Sequence, residues 1–186
     1  MNKTRSLVFA VIAALFAMPS HAAMILLQSS SNDISVGDEF LVDVILQDAF
    51  AGEFSGDMLL AFGFNLSFDG GALSLLSSAV GPGWDDDSPS LGIDVAGSTF
   101  PGIEDNASGL GILLARLSFS ALDAGNFTLR IGGNPLDNPS LGLIYLGGEA
   151  AVLAHTSITV HPVPLPATGW LLATALIAMF RVRRCR

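Results

Sequence analysis

The chemically richest side chains in this sequence are carboxylates. Trp84-Asp85-Asp86-Asp87 follows Gly81-Pro82-Gly83, so an indole and three acids share one turn-forming stretch. Oxygen-rich loops can take Ca²⁺, which wants about six to eight oxygen ligands. Asp85, Asp86 and Asp87 are therefore candidate metal ligands, although the loop glycine and closing glutamate of an EF-hand are missing. The alternative is a solvated acidic loop. Trp84 is a candidate ligand contact that could stack on a sugar ring or a partner; the competing reading makes it a plug at the edge of a core. Gly102-Ile103-Glu104-Asp105-Asn106 is a second, sparser acidic turn. Apart from Ca²⁺, no cofactor is suggested.

Catalytic patterns are missing. There is no Gly-x-Ser-x-Gly elbow, and the lone cysteine, Cys185, lies at the far end of the chain. His155 and His161 are remote from any Cys/His group of metal-ligand spacing. Carboxylate pairs for glycoside hydrolysis can always be drawn among 17 acidic residues, so their presence selects nothing. The sequence reads as a non-enzyme.

The chemistry that does stand out is proteolytic processing. Val163-Pro164-Leu165-Pro166-Ala167 holds the backbone extended and helix-incompatible, a form that a membrane-bound protease can hold in its cleft. A short apolar stretch from Trp170 to Phe180 follows, suited to a helix that crosses a thin or tilted path, with Trp170 at the outer interface. Arg181, Arg183, Arg184 and Arg186 then act as a membrane stop that stays cytoplasmic. A plain tail anchor is the simpler alternative. At the other end, Lys3 and Arg5 precede an apolar run from Leu7 to Met18, then Pro19 and Ser20-His21-Ala22. That is the order of a secretory signal peptide, cut after Ala22 or Ala23. The run reaches about 18 Å as a helix, short of the roughly 30 Å of a bilayer core. The expected organisation is a signal peptide over 1–22, one domain over 23–161 and a sorting tail over 162–186.

Val163-Pro164-Leu165-Pro166-Ala167, a Trp-led apolar stretch and an Arg-rich end together resemble the VPLPA variety of the PEP-CTERM sorting signal of Gram-negative bacteria. The resemblance implies an exosortase-type protease as partner. It also implies an inner-membrane anchor through the C-terminal helix before processing, and release to the cell surface or extracellular matrix afterwards. Leu165 stands where the commoner motif has Glu. Leu165-Pro166-Ala167-Thr168-Gly169 also matches the LPxTG signal of sortase substrates, which is the less favoured reading because no polar spacer precedes it.

The elements between these ends follow from charge and periodicity. All 17 acidic residues fall between Asp33 and Glu149, a span whose only basic residues are Arg116 and Arg130, so its field repels phosphate and excludes nucleic acid as a partner. At 51% hydrophobic, the chain is too apolar for disorder. Short apolar runs alternate with Gly, Asn, Asp, Pro and Ser clusters, which predicts strands at 23–28, 39–47, 59–68, 73–80, 91–96, 110–120, 126–131, 141–146 and 152–160. Phe40, Val42, Val44 and Leu46 repeat every second residue, as do Phe62, Phe64, Leu66 and Phe68, then Leu113, Ala115, Leu117 and Phe119, then Phe127, Leu129 and Ile131. Period two predicts sheets with one buried face, leaving Asp43, Arg116, Thr128 and Arg130 outside. The domain holds no cysteine, so its stability must come from that core rather than from disulfides.

Three stretches carry a second resemblance: Val36-Gly37-Asp38-Glu39-Phe40-Leu41-Val42-Asp43-Val44, Phe62-Gly63-Phe64-Asn65-Leu66-Ser67-Phe68-Asp69, and Leu114-Ala115-Arg116-Leu117-Ser118-Phe119 leading through Ala124-Gly125 to Phe127-Thr128-Leu129. In that order they are similar to cohesin domains. The resemblance implies an all-β, about nine-stranded jelly-roll sandwich that docks a dockerin-like protein through a sheet face. The alternatives are a carbohydrate-binding module that uses Trp84 and polar strand residues on a polysaccharide, or a structural matrix protein.

Overall fold

The structure is a computed structural model that describes residues 23–51, 53–104 and 111–163. The expected signal peptide, the tail from Pro164 to Arg186 and residues Asp105 and Asn106 of the second acidic turn lie outside the described residues. No helix among the described residues is long and apolar enough to cross a membrane.

Two sheets enclose one core. The first orders its strands β1 (Met24–Ser29), β3 (Glu39–Gln47), β8 (Ile112–Ala121) and β5 (Leu73–Val80), each pair antiparallel. The second is built on β4 (Met58–Ser67). One flank of β4 pairs with β10 (Gly142–Tyr145) and then with β9 (Gly125–Gly133); the other flank pairs with β7 (Val95–Glu104). Beyond β9 lies β12 (Val152–His161), joined in parallel at its end by β2 (Ile34–Ser35). Two-residue strands β6 (Asp85–Asp86) and β11 (Glu149–Ala150) extend β7 and β10.

The period-two stripes are what the sheets bury. Phe40, Val42, Val44, Leu46, Leu117 and Phe119 of the first sheet meet Phe62, Phe64, Leu129 and Ile131 of the second. Each such side chain contributes about 1.5–3 kcal/mol on burial. Their rings interlock: Phe40 stacks on Phe119 at 5.7 Å, and Phe68 meets Phe119 edge-on at 5.2 Å.

Two expectations change. The register between β3 and β8 slips at Val44/Ile45, so Leu114 and Ala115 both face the core while Leu113 turns toward the outer side opposite Ile45. Residues 91–96 do not form one strand. Ser88–Leu91 is instead a one-turn helix, α1, with Pro89 in its first turn, and Gly92 closes it at φ 66. That left-handed conformation suits glycine at a helix end and redirects the chain, so the strand starts only at Val95.

Glycine also decides how the second sheet is covered. Gly63 lies between inward Phe62 and Phe64, and a Cβ there would run into the carbonyl oxygen of Ser140. The absent side chain lets the segment before β10 lie on the sheet, where Leu141, Ala96 and Ile93 form a small second cluster.

Candidate docking face

The first sheet presents its outer side openly. On β3 the residues that alternate with the core stripe are Glu39, Leu41, Asp43, Ile45 and Gln47. Register turns them into rows across four strands: Gln28–Asp43–Arg116–Ala79 in the middle, Leu26–Ile45–Leu113 on one side, Leu41–Ser118–Ser77 on the other. Arg116 Nε donates to Asp43 Oδ1 at 2.7 Å and Nη2 donates to Oδ2 at 2.9 Å, a planar two-point fork. Those hydrogen bonds, and then the carboxylate charge, push the guanidinium pKa upward. The pair stays accessible, with its side chains 52% and 28% exposed. Leu26, Leu41, Met24 and Leu76 are exposed around it. The result is a solvent-facing surface with a fixed ion pair between apolar rows, and it carries Met24 and Arg116, two residue types enriched at protein interfaces.

The second sheet is different. Where α1 and the segment before β10 leave it open, Ser67, Arg130 and His155 align across β4, β9 and β12. Asn65, Thr128 and Ser157 lie nearby, and Thr159 donates to Asn126 at 2.8 Å. Among the described residues Arg130 is in no ion pair. A groove of about 450 Å³ runs between the edge strands β1 and β12, lined by hydroxyl and amide side chains such as Gln28, Asn32, Thr156 and Thr159 together with the aliphatic Leu26, Leu27, Ile34 and Ile158, and with no charged side chain.

The acidic stretch proves to be structural. Trp84 is 7% exposed, meets Phe62 edge-on at 4.9 Å, and donates its indole N–H to the Leu113 carbonyl at 3.2 Å. Neither ring face nor polar atom is left for a ligand, so the plug reading holds and the ligand-contact reading is corrected. Asp85, Asp86 and Asp87 do not converge as metal ligands either. Asp85 and Asp86 are consecutive strand residues, which point to opposite sides of β6. Asp86 accepts from Ser88 Oγ at 2.6 Å and from Ser88 N–H at 3.0 Å, which holds its carboxyl below the usual range. The Asp87 backbone, meanwhile, is tied into the turn that starts α1. Among the described residues no group of three acidic, histidine or cysteine side chains could hold a metal. Of the sorting motif, Val163 alone is described, and it is exposed; Pro164, Leu165, Pro166, Ala167 and the four terminal arginines lie outside.

Sequence reasoning placed Asp43 and Arg116 outside the core but did not join them. Their pairing depends on the register between β3 and β8, which no local residue of either strand announces.

No family model matches the sequence, and no curated protein does. Solved structures do match. The cohesin module of a family 33 glycoside hydrolase from Clostridium perfringens superposes with a TM-score of 0.56 at 9% identity, over 75% of this chain and 97% of the module. The fold is cohesin-like. Other matches include a type II cohesin domain from the cellulosome of Acetivibrio cellulolyticus (TM-score 0.45, 14% identity, covering 74% of this chain and 95% of that one). A further one is the sixth cohesin of scaffoldin B from the same organism, solved with a Cel5 dockerin mutant (TM-score 0.38, 14% identity, 74% and 99%). At such identities the likeness concerns the fold and not the ligand.

Proposed function

We propose that this chain is an exported, non-catalytic docking module of the cohesin kind, which binds a dockerin-like protein partner at the cell envelope. The observation that carries the reading is the open outer side of the β1-β3-β8-β5 sheet, on a cohesin-like fold, with its Arg116–Asp43 fork set between apolar rows. A pre-formed sheet face costs little ordering on binding, and a desolvated Arg anchor gives such an interface its energy. Export and sorting belong to the same proposal. The stretch 1–22 is read as the signal peptide, and Val163-Pro164-Leu165-Pro166-Ala167 with the arginine-rich end as the substrate of an exosortase-type protease. In this reading the chain is held in the inner membrane by its C-terminal helix before cleavage and reaches the surface or matrix afterwards.

Polysaccharide binding is the second reading, supported by the uncharged groove between β1 and β12, where hydroxyl and amide side chains stand among aliphatic ones. The groove borders the docking face and shares Leu26 and Gln28 with it, so the two readings separate on residues that only one of them uses. Leu41→Glu abolishes binding of a dockerin module from the same organism if the first holds, and soluble polysaccharide does not compete. Retention of dockerin binding by Leu41→Glu, together with a glycan-array signal lost on Thr156→Ala, would favour the second.

A further inference from the structure

Five of the seven asparagines, Asn2, Asn65, Asn106, Asn126 and Asn138, are followed at the second position by Ser or Thr. Ser and Thr make up 26 of the 186 residues, so chance gives about one such pair and the excess asks for a cause. Pro139 disqualifies Asn138 as an Asn-x-Ser/Thr acceptor, Asn2 belongs to the expected signal peptide, and Asn106 lies outside the described residues. The other two share one face. Asn65 and Ser67 of β4, and Asn126 and Thr128 of β9, are all exposed. Residues two apart in a strand point the same way, so each asparagine stands beside its hydroxyl on the outer side of the second sheet. Asn65 is opposite Gly132, and Asn126 lies six residues along β9 from that glycine, which sets the two amides about 20 Å apart. In both, the amide oxygen is the end that is held. Asn65 Oδ1 accepts the Asp94 N–H at 3.3 Å, and Asn126 Oδ1 accepts the Thr159 hydroxyl at 2.8 Å. Neither Nδ2 donates to a partner among the described residues. A Cβ at Gly132 would meet nothing within 4 Å, so there is open space beside Asn65 for a bulky group.

We propose that Asn65 and Asn126 are acceptors for N-linked glycosylation, with a sugar carried on a phosphate as the donor. Nδ2 attacks the anomeric carbon. The N–C bond forms as the C–O bond to phosphate breaks, the phosphate carrier leaves with the electron pair, and the amide gives up one proton. The hydroxyl two residues on, held on the same side of the strand, is the feature that a glycosyltransferase reads beside the amide. The four strands β1, β3, β8 and β5 contain no asparagine, so the sugars cover the second sheet and leave the docking face bare. The assignment rests on the export reading above, since such acceptors belong to the surface of secreted proteins.

The test is peptide mass spectrometry of the full chain made in its native host, with the N-terminus of each species read alongside. Peptides spanning Asn65 and Asn126 should gain the mass of whole sugar residues, located on the asparagine by fragmentation. Ser67→Ala and Thr128→Ala, both at exposed positions, should lose the gain at Asn65 and Asn126 respectively although the asparagine remains, and Thr128→Ser should keep it. Sugar on mature chains alone traces the donor to a lipid-linked phosphate at the membrane. Sugar also on chains that retain residues 1–22 traces it to a nucleotide-linked one, and both patterns support the assignment. Bare asparagines on chains that begin at Ala23 or Met24 would overturn it while export stands; bare asparagines on chains that begin at Met1 would overturn both. Sugar that persists in the two alanine variants refutes the assignment as well.

Discussion

Replacing Trp84 by alanine distinguishes a core residue from a ligand platform, because the two roles predict opposite outcomes. The structure places the ring between the Phe62 edge and the Leu113 carbonyl, 7% exposed. Truncation leaves a large cavity and an unpaired carbonyl, and substitutions of this kind cost about 3–5 kcal/mol. For a domain of this size that is a fall in melting temperature of roughly 10–20 °C. Trp84→Phe keeps most of the volume and loses chiefly the hydrogen bond, about 1 kcal/mol with some packing loss. Thermal unfolding followed by far-UV circular dichroism measures both, and binding is assayed well below each variant's transition. The expected result is a strong stability loss with unchanged partner or glycan affinity in the folded variant. A Trp84→Ala protein that melts like wild type but no longer binds would refute the placement of this side chain.

Other outcomes follow from single contacts. Gly63→Ala sets a Cβ against the Ser140 carbonyl and should cost about 1–3 kcal/mol in urea unfolding, because the obstacle is backbone and cannot swing away. Asp86 is held below the usual carboxylate range by Ser88, so its contribution to stability is present above the unfolded-state pKa and lost as pH falls through the lower folded value. The stability gap between wild type and Asp86→Asn should therefore close on acidification, and a gap that widens would reverse the sign. Mass spectrometry of surface-released protein should find a C-terminus within or just after Val163–Ala167; an intact Arg186 there contradicts processing.

The core was the legible part of this fold. Val42 and Val44, Phe62 and Phe64, Leu117 and Phe119, Leu129 and Ile131 are where their spacing put them, since an alternating strand has one way to bury them all. Leu113 failed because a bulge shifts register by one, and that shift is decided by the partner strand rather than by local composition. The 91–96 error came from weighing apolar content over punctuation: Pro89 and Gly92 mark a helix start and stop. At the candidate face, outward residues were visible singly, but a face is made by rows across β1, β3, β8 and β5. Those rows join residues as far apart in the chain as Asp43 and Arg116. Asp57 gave no sequence signal at all, because an aspartate in a Gly-Asp turn reads as solvent-facing, whereas its carboxylate is buried and accepts the Met58 and distant Gly147 backbone N–H groups.

The central claim is that the outer side of the β1-β3-β8-β5 sheet is the docking surface. NMR chemical-shift mapping of the labelled domain, titrated with a dockerin module from the same organism, tests it most directly. The account predicts shifts concentrated at Leu26, Leu41, Asp43, Ile45, Arg116 and Ser118, with Arg130, His155 and Thr156 unmoved. Shifts confined to the β9–β12 side, or none at saturating dockerin, would contradict it.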